Sequence, residues 1–383
     1  NIYGSSEWQS GMTDILITYI YYRHTGEAKT IKSNDVPINS EVFFAEDRSI
    51  RLFDDFYLKS RLTHVAGTWN TNGHKVTFET DYRTLGTKPK TINLGASQIY
   101  LTSTSSFFDS SLLSVTVNAE TSHFYYSALS VNYAGMRNNA NQTFYNVTFN
   151  SSMGAISGGA KYNRADFKGN GSISGSSTFK DVVFTAGKTY SLGANTTQTI
   201  ENLTLGGTPC DVTFVQSSVA GTRANVNVTG TVTNFNFGNL KDINASGKSL
   251  HFAEQSTIAN QNNFNITYDP YNPGAFEGLG ADWVDHKIDN SDPSTYLLSA
   301  SKFYGNNYTS YKWYKIGGLN SSSTNVISTD KQIDIRKFGF GTYKVQVEYS
   351  NGNTVTCIAN DDILLKGILR KAIVNPNIRI RVN

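Results

Sequence analysis

Four short phrases in the middle of the chain constrain its fold more than anything else. Phe144-Tyr-Asn-Val-Thr-Phe149, Ala165-Asp-Phe167, Phe179-Lys-Asp-Val-Val-Phe184 and Ile200-Glu-Asn-Leu-Thr-Leu205 each read as a short alternating strand closing on a large apolar residue. The closing residues Phe149, Phe167, Phe184 and Leu205 stand 18, 17 and 21 positions apart, and Gly169, Gly187 and Gly206 follow three of them. A period of roughly 20 residues with a strand in each period signals a solenoid rather than a globular sheet. One coil cannot bury its apolar side alone, but a stack of coils can.

Composition agrees with an extracellular all-β chain. Charged residues are 16% of the 383, against about a quarter in ordinary domains, while aromatics reach 13%. That aromatic content excludes a disordered chain. The abundant Asn, Ser and Thr can form hydrogen-bonded ladders between stacked strands. A net charge of +3, from 33 basic and 30 acidic residues, gives no case for nucleic acid or an anionic membrane surface. The basic run from Lys366 to Arg381 alternates with Ile, Leu and Val and reads as strand. Cys210 and Cys357 fall in different predicted domains, so they read as small buried residues without disulfide or metal spacing. No run of 18 apolar residues exists to span a membrane, and no signal peptide is recognised. The chain starts at Asn1 and stops at Asn383 in mid-pattern, which reads as an internal piece of a longer polypeptide.

The same grammar runs more loosely upstream. Ile15–Tyr22, Val42–Phe44, Ile50–Phe53, Phe56–Leu58, Leu62–Val65, Val76–Phe78, Ile92–Leu94, Ile99–Leu101 and Val115–Val117 are strand-like, with Gly, Asn or Asp in most gaps. Downstream it continues through Val226–Val228, Val232–Phe237 and Leu240–Ile243, then fades near Asn260. Nothing carries helical periodicity over three turns. About 12 to 13 coils of roughly 20 residues, stacked at about 4.8 Å, would make a rod about 60 Å long. The open edge at one end would need a cover from outside the sequence, and the 260–280 segment would cover the other.

A second unit begins near Ala281. Tyr311-Lys-Trp313-Tyr-Lys315 is a strand bearing Trp313. Phe338–Val347 follows, and Ser350-Asn-Gly-Asn353 turns it into Val355–Ile358. Alternation on both sides of an Asn-Gly turn is a hairpin signal. A Trp strand followed by a Gly-Thr-Tyr strand and a hairpin suits an immunoglobulin-like sandwich. The reading is therefore all-β: a right-handed parallel β-helix over 1–262, a linker or cap over 263–282, an Ig-like β-sandwich over 283–365, and the start of a following segment over 366–383.

Several phrases resemble recurrent ones in large surface adhesins of Bacteroidota. They include Asn1-Ile-Tyr-Gly-Ser with Ser10-Gly-Met-Thr13, Thr68-Trp-Asn-Thr-Asn-Gly-His74-Lys-Val-Thr77, Ile92-Asn-Leu-Gly-Ala-Ser97 and Val117-Asn-Ala-Glu-Thr-Ser122. Phe144–Phe149 and Asn239-Leu-Lys-Asp-Ile-Asn-Ala-Ser-Gly247 are similar to the same repeats. Lys312-Trp-Tyr and Gly341-Thr-Tyr-Lys-Val-Gln-Val resemble the Ig-like modules strung along those proteins. The resemblance implies export by the type IX secretion machinery and display at the cell surface in association with the outer membrane. It also implies a place among the gliding-motility adhesins. The partners expected are further domains of the same polypeptide and surface polysaccharide or other cell-surface proteins. The sorting domain of exported members is not in this sequence.

Candidate chemistry is thin. A polysaccharide lyase or hydrolase on a β-helix needs convergent carboxylates and a basic neighbour. The acidic pairs Glu46-Asp47, Asp54-Asp55 and Asp361-Asp362 are adjacent in sequence, so on a strand each pair points to opposite faces. His24, His64, His74, His123, His251 and His286 lack metal-ligand spacing. Asp289-Asn-Ser-Asp292 reads as an Asx turn before it reads as a Ca²⁺ loop. Asn-x-Ser/Thr triplets at Asn141, Asn146, Asn202 and Asn227 are expected by chance in this composition. Tyr125-Tyr126, Tyr304, Tyr308 and Tyr311 form either a sugar-stacking surface or strand packing. No catalytic residue, metal ligand or cofactor is assigned, and no binding residue is singled out. The function expected is a non-enzymatic adhesin segment. A polysaccharide-degrading β-helix enzyme and a purely architectural subunit are the alternatives.

Overall fold

The computed structural model describes residues 1–9, 12, 18–23, 27–103, 105–127, 134–207, 213–233, 238–248, 250–252, 262–268, 296–299, 308–322, 324–330, 332–339, 341, 343–349 and 354–359. Up to residue 268 these residues build a parallel β-solenoid. One sheet has eleven strands in sequence order, from Tyr19–Tyr22 and Glu41–Phe44 to Thr213–Ser217 and Gly238–Lys241. Every neighbouring pair in it is parallel. Eleven strands close ten turns, fewer than the 12 to 13 expected, so the stack is about 50 Å long at the spacing of paired strands. The difference lies in uneven coils. Ile156 lies opposite Ile173, 17 residues on, whereas Phe108 lies opposite Met136, 28 residues on.

The remaining coil strands join a 16-stranded sheet. In early coils this side holds two short strands around a tight turn, as in Gly67–Asn70 and Val76–Phe78. At Thr143–Phe149 the two merge. Thr143 pairs with Asn118 of one earlier strand, and Asn146 to Phe149 pair with His123 to Tyr126 of the other. The bend survives as a fault in alternation, with Tyr145 and Asn146 both outward between inward Phe144 and Val147. Lys180-Asp181 and Glu201-Asn202 repeat it in later coils. The recurring phrase is thus two strands fused across a corner.

Parallel register puts like on like, and the interior becomes columns. Tyr126, Phe149 and Phe167 stack with ring centroids 4.8 and 4.9 Å apart, while Phe144, Tyr162 and Phe179 stack at 5.4 and 5.1 Å. All six are at least 97% buried. Offset stacks of this kind add to area burial. The facing sheet makes room with glycine. A Cβ on Gly154 would overlap the Phe149 ring, and one on Gly171 the Phe167 ring.

Corner turns are held by polar side chains from adjacent coils. Asp54 accepts from the amides of Ser33 and Asn34 at 2.7 Å each, one coil back, and Asp55 accepts from Lys75 N at 3.0 Å, one coil ahead. The left-handed turn positions favour Asn, as at Asn34 (φ 49°), Asn72 (φ 55°) and Asn195 (φ 59°). The parallel register also carries on past Asn260. Phe264 N donates to Ile243 O, and Ile266–Tyr268 pairs in parallel with Leu250–Phe252.

In the second unit Tyr308–Lys315, Tyr343–Tyr349 and Thr354–Ala359 form an antiparallel sheet. Leu297–Ser299 pairs antiparallel with Gln332–Asp334. The hairpin read from the sequence is therefore present. Trp313 is fully buried and donates from Nε1 to Asp330 O at 2.8 Å. A one-turn helix, Ile335–Phe338, is capped by Asp334. Among the described residues no helix is long and apolar enough to cross a membrane.

Core packing gives a two-sided test. Phe167→Ala is expected to cost about 3–5 kcal/mol by opening a cavity in the stack. Gly171→Val is expected to cost about 1–3 kcal/mol by overfilling the same place. Urea unfolding measures both. A near-neutral Gly171→Val would contradict the ring-against-glycine fit.

Candidate functional site

A solenoid offers its outer faces, and here three faces differ in chemistry. The first lies on the leading strands of the 16-stranded sheet. Thr68-Trp-Asn70, Thr91-Ile-Asn93 and Thr116-Val-Asn118 occupy successive coils in strict register. The middle residue is buried each time, so threonines and asparagines form two outward ranks. Asn118 Nδ2 donates to Asn93 Oδ1 at 2.7 Å, making the asparagine rank a ladder. Farther up, Thr197 and Thr199 face Asn225 and Asn227, which face Asn244 and Ser246. Asn244 Nδ2 donates to Asn225 Oδ1 at 2.8 Å. From Ser49 onward the outward strand residues before the bend are Ser, Thr and Asn, apart from Arg51 and Lys161, while Tyr145, Lys180 and Glu201 stand at the bend. A polar ladder borders it at the corner, where Asn202 bonds Asp181 at 2.9 Å and Thr231 bonds Asn202 at 2.7 Å.

The second face carries aromatics. Tyr100 and Tyr125 are register partners with ring centroids 4.9 Å apart and 14° between planes. Lys75 Nζ sits 5.1 Å from the Tyr100 centroid, and the His123 ring stacks on Tyr125 at 3.9 Å. His123 Nε2 lies 2.8 Å from Thr148 Oγ1. Lys75, Tyr100, Tyr125 and His123 therefore form one run of contacts across adjacent coils, with both tyrosines half-exposed. Each ring packs against side chains of its own or a neighbouring coil, which accords with the strand-packing reading of Tyr125. Tyr126 faces the interior and is fully buried. Desolvation lowers the His123 pKa, and the Arg164 charge lowers it further against the opposing pull of Asp166.

The third face, on the 11-stranded sheet, is charged in the coils from Glu41 to Arg137 and carries no charged strand residue from Met153 to Ser217. Glu41 accepts from Thr63 at 2.9 Å and Arg83 at 3.2 Å, Arg61 meets Asp81 at 3.1 Å, and Arg137 lies 3.7 Å from Asp109. Arg137 also covers the Phe107 ring at 4.1 Å. Each of these carboxylates is engaged by an arginine.

Two of the three acidic pairs read from the sequence lie in turns rather than on strands. Glu46-Asp47 and Asp54-Asp55 stand between strands, and the latter two reach in opposite directions to cap neighbouring coils. Asp361-Asp362, Asp289–Asp292, Tyr304, His24, His286 and Cys210 lie outside the described residues, as do the side chains of His251, Tyr308 and Cys357. His74 is in a turn, with Nδ1 3.9 Å from Asp55. Among the described residues no group of three His, Cys, Asp or Glu side chains comes together to hold a metal ion. The Thr-Asn ranks correspond in the sequence to the recurrence of Thr-apolar-Asn at Thr68, Thr91 and Thr116, a signal separate from the strand phrases.

No protein-family model, no curated protein and no solved structure matches the chain.

His64 supplies a pH prediction. It is fully buried, with Nδ1 2.8 Å from Tyr82 Oη and Nε2 3.0 Å from Gly67 O. The carbonyl can only accept, so Nε2 carries the proton and Nδ1 accepts from the tyrosine hydroxyl. Desolvation lowers its pKa to about 4 from 6.5, and the Lys90 charge acts in the same direction. The unfolded chain then binds this proton first, and stability falls as pH drops from about 6.5 to about 4. The loss amounts to about 3 kcal/mol. Urea unfolding across that range should show His64→Gln losing correspondingly less than the wild type. Equal slopes would contradict a neutral buried His64.

Proposed function

We propose that the chain is a non-enzymatic adhesin segment, a stiff stalk whose repeated outer face attaches to polysaccharide or other surface molecules. The observation that carries this is the repetition of one surface chemistry over successive coils. A periodic face makes many weak contacts, which add through avidity. The carboxylates best placed for catalysis, Glu41, Asp81 and Asp109, are each engaged by arginine rather than turned together on a cleft.

The finer architecture belongs to the same proposal. The solenoid is right-handed, since parallel strands of one sheet are connected by right-handed crossovers in about 98% of cases. The second unit is an Ig-like sandwich. Its support is the three-stranded antiparallel sheet and the separate antiparallel strand pair, the buried Trp313, and the Tyr343 hydroxyl bonded back to Gly339 O. That last contact has the form of a tyrosine corner. With the resemblance in sequence, this supports export by the type IX secretion machinery, display at the outer surface, a role in gliding motility, and further domains of the same polypeptide as neighbours.

Beads coated at graded densities with the protein test the reading. Retention on glycan-coated or cell-coated surfaces should rise more steeply than bead coverage, and soluble protein should compete weakly. Release of unsaturated or reducing ends from uronic-acid polymers would overturn it in favour of a polysaccharide-degrading enzyme. Absence of retention, with stable capture of one protein partner, would favour an architectural subunit.

A further inference from the structure

We infer that the face built on Thr68/Asn70, Thr91/Asn93 and Thr116/Asn118 is a binding surface for an uncharged polysaccharide chain lying along the solenoid axis. The inference rests on the adhesin reading and names the face and ligand class that reading leaves open.

Three observations select this occupant. The first is charge. From Ser49 onward no residue of the two ranks is acidic, the nearest carboxylates on these strands being Asp181 and Glu201 at the bend, and Arg51 and Lys161 flank the Thr68–Asn118 rungs. An ionic partner finds no complement between them. The neighbouring charged face, with Glu41, Arg61, Asp81 and Arg83, provides the contrast within the same coils.

The second is polarity. On the Thr-Asn ranks themselves the outward side chains between Arg51 and Lys161 carry no ring and no large apolar surface, and the one exposed ring beside them, Tyr145, stands at the bend, so an apolar protein patch gains little on the ranks. Each threonine hydroxyl can donate one hydrogen bond and accept others, and each asparagine amide has two N–H groups and two acceptor lone pairs. The Asn93–Asn118 bond engages one N–H and one oxygen lone pair. The remaining capacity suits adjacent hydroxyls of a sugar, which offer a donor and an acceptor side by side.

The third is periodicity. Thr68, Thr91 and Thr116 are direct register partners, as are Asn70, Asn93 and Asn118. The pattern therefore repeats at the strand spacing of about 4.8 Å. A hydroxyl-bearing polymer that repeats along its own axis can meet successive rungs in the same way. Each contact is individually weak, and the number of rungs sets the affinity.

Depletion of the full chain from solution by insoluble probes tests this. Microcrystalline cellulose, insoluble β-1,3-glucan and mannan are the neutral probes, and cross-linked polygalacturonate is the acidic one. The wild type should bind at least one neutral probe with little change up to high salt. Thr91→Arg with Thr116→Arg should weaken that binding at least tenfold, because the new side chains lift the polymer off the rungs. Ser174→Arg, an exposed change on the opposite sheet, should leave it unchanged. Circular dichroism checks that each variant folds. If the double variant does not fold, Asn93→Leu, which removes amide capacity without charge, takes its place.

Unchanged binding by the face variants overturns the proposal, as does binding to polygalacturonate alone or to no neutral probe. Sedimentation that reveals a dimer dissolved by Thr91→Arg, without glycan binding, overturns it in favour of a second copy of this chain. Bead attachment separates the two levels of the argument. Attachment that persists in the face variants keeps the adhesin and discards this face, and attachment missing from the wild type discards both.

Discussion

In-register parallel hydrogen bonding between successive coils is the constraint on which the rest of this structure depends. Parallel pairing holds equivalent positions of neighbouring coils opposite one another. Whatever a position carries is therefore repeated up the stack or confronted with its replacement one rung on. Inside, this produces the Tyr126–Phe149–Phe167 and Phe144–Tyr162–Phe179 columns. Outside, the same rule produces the Asn93–Asn118 ladder and the Tyr100–Tyr125 stack. Core and surface are two readings of one register.

That register explains the composition. Ionised side chains on successive rungs repel unless opposite signs alternate, as Arg61 and Asp81 do in adjacent coils. Threonine and asparagine carry no such penalty and bond to their own kind, so long stretches of the outer surface can be built from them. Asparagine serves again at corners, where positive φ is required at Asn34, Asn72 and Asn195. Low charge and high amide content thus follow from the stacking.

The fold was legible where one strand carries a strong alternating pattern. Val76–Phe78, Ile99–Leu101, Val115–Val117 and the four central phrases all fall on strands of the 16-stranded sheet. Much of the other sheet carries no such pattern. Its strands Met153–Ser157 and Asn170–Ser174 carry Gly154, Ala155 and Gly171, because they must give way to the facing phenylalanine rings. A strand selected for smallness has no hydrophobic alternation to read. The coil count was too high for a related reason, since insertions between Tyr82 and Met136 lengthen coils without changing the strand phrases. The surface was hardest of all. Tyr125-Tyr126 is one feature in the sequence, yet adjacent strand residues face opposite ways, and Tyr126 is core while Tyr125 lies outside against Tyr100 and His123. The Thr-Asn ranks gain meaning only when coils are laid side by side.

Pulsed dipolar spectroscopy on nitroxide pairs tests the register most directly. Asn70, Asn118, Thr178 and Asn227 lie in one outward column, through Asn93, Thr143, Lys161 and Thr199. Labels at Asn70 paired with Asn118, Thr178 or Asn227 should lie about 10, 24 and 34 Å apart, rising in proportion to the two, five and seven rungs between them at about 4.8 Å per rung. Distances that level off, or that do not follow the rung order, would contradict the single stack.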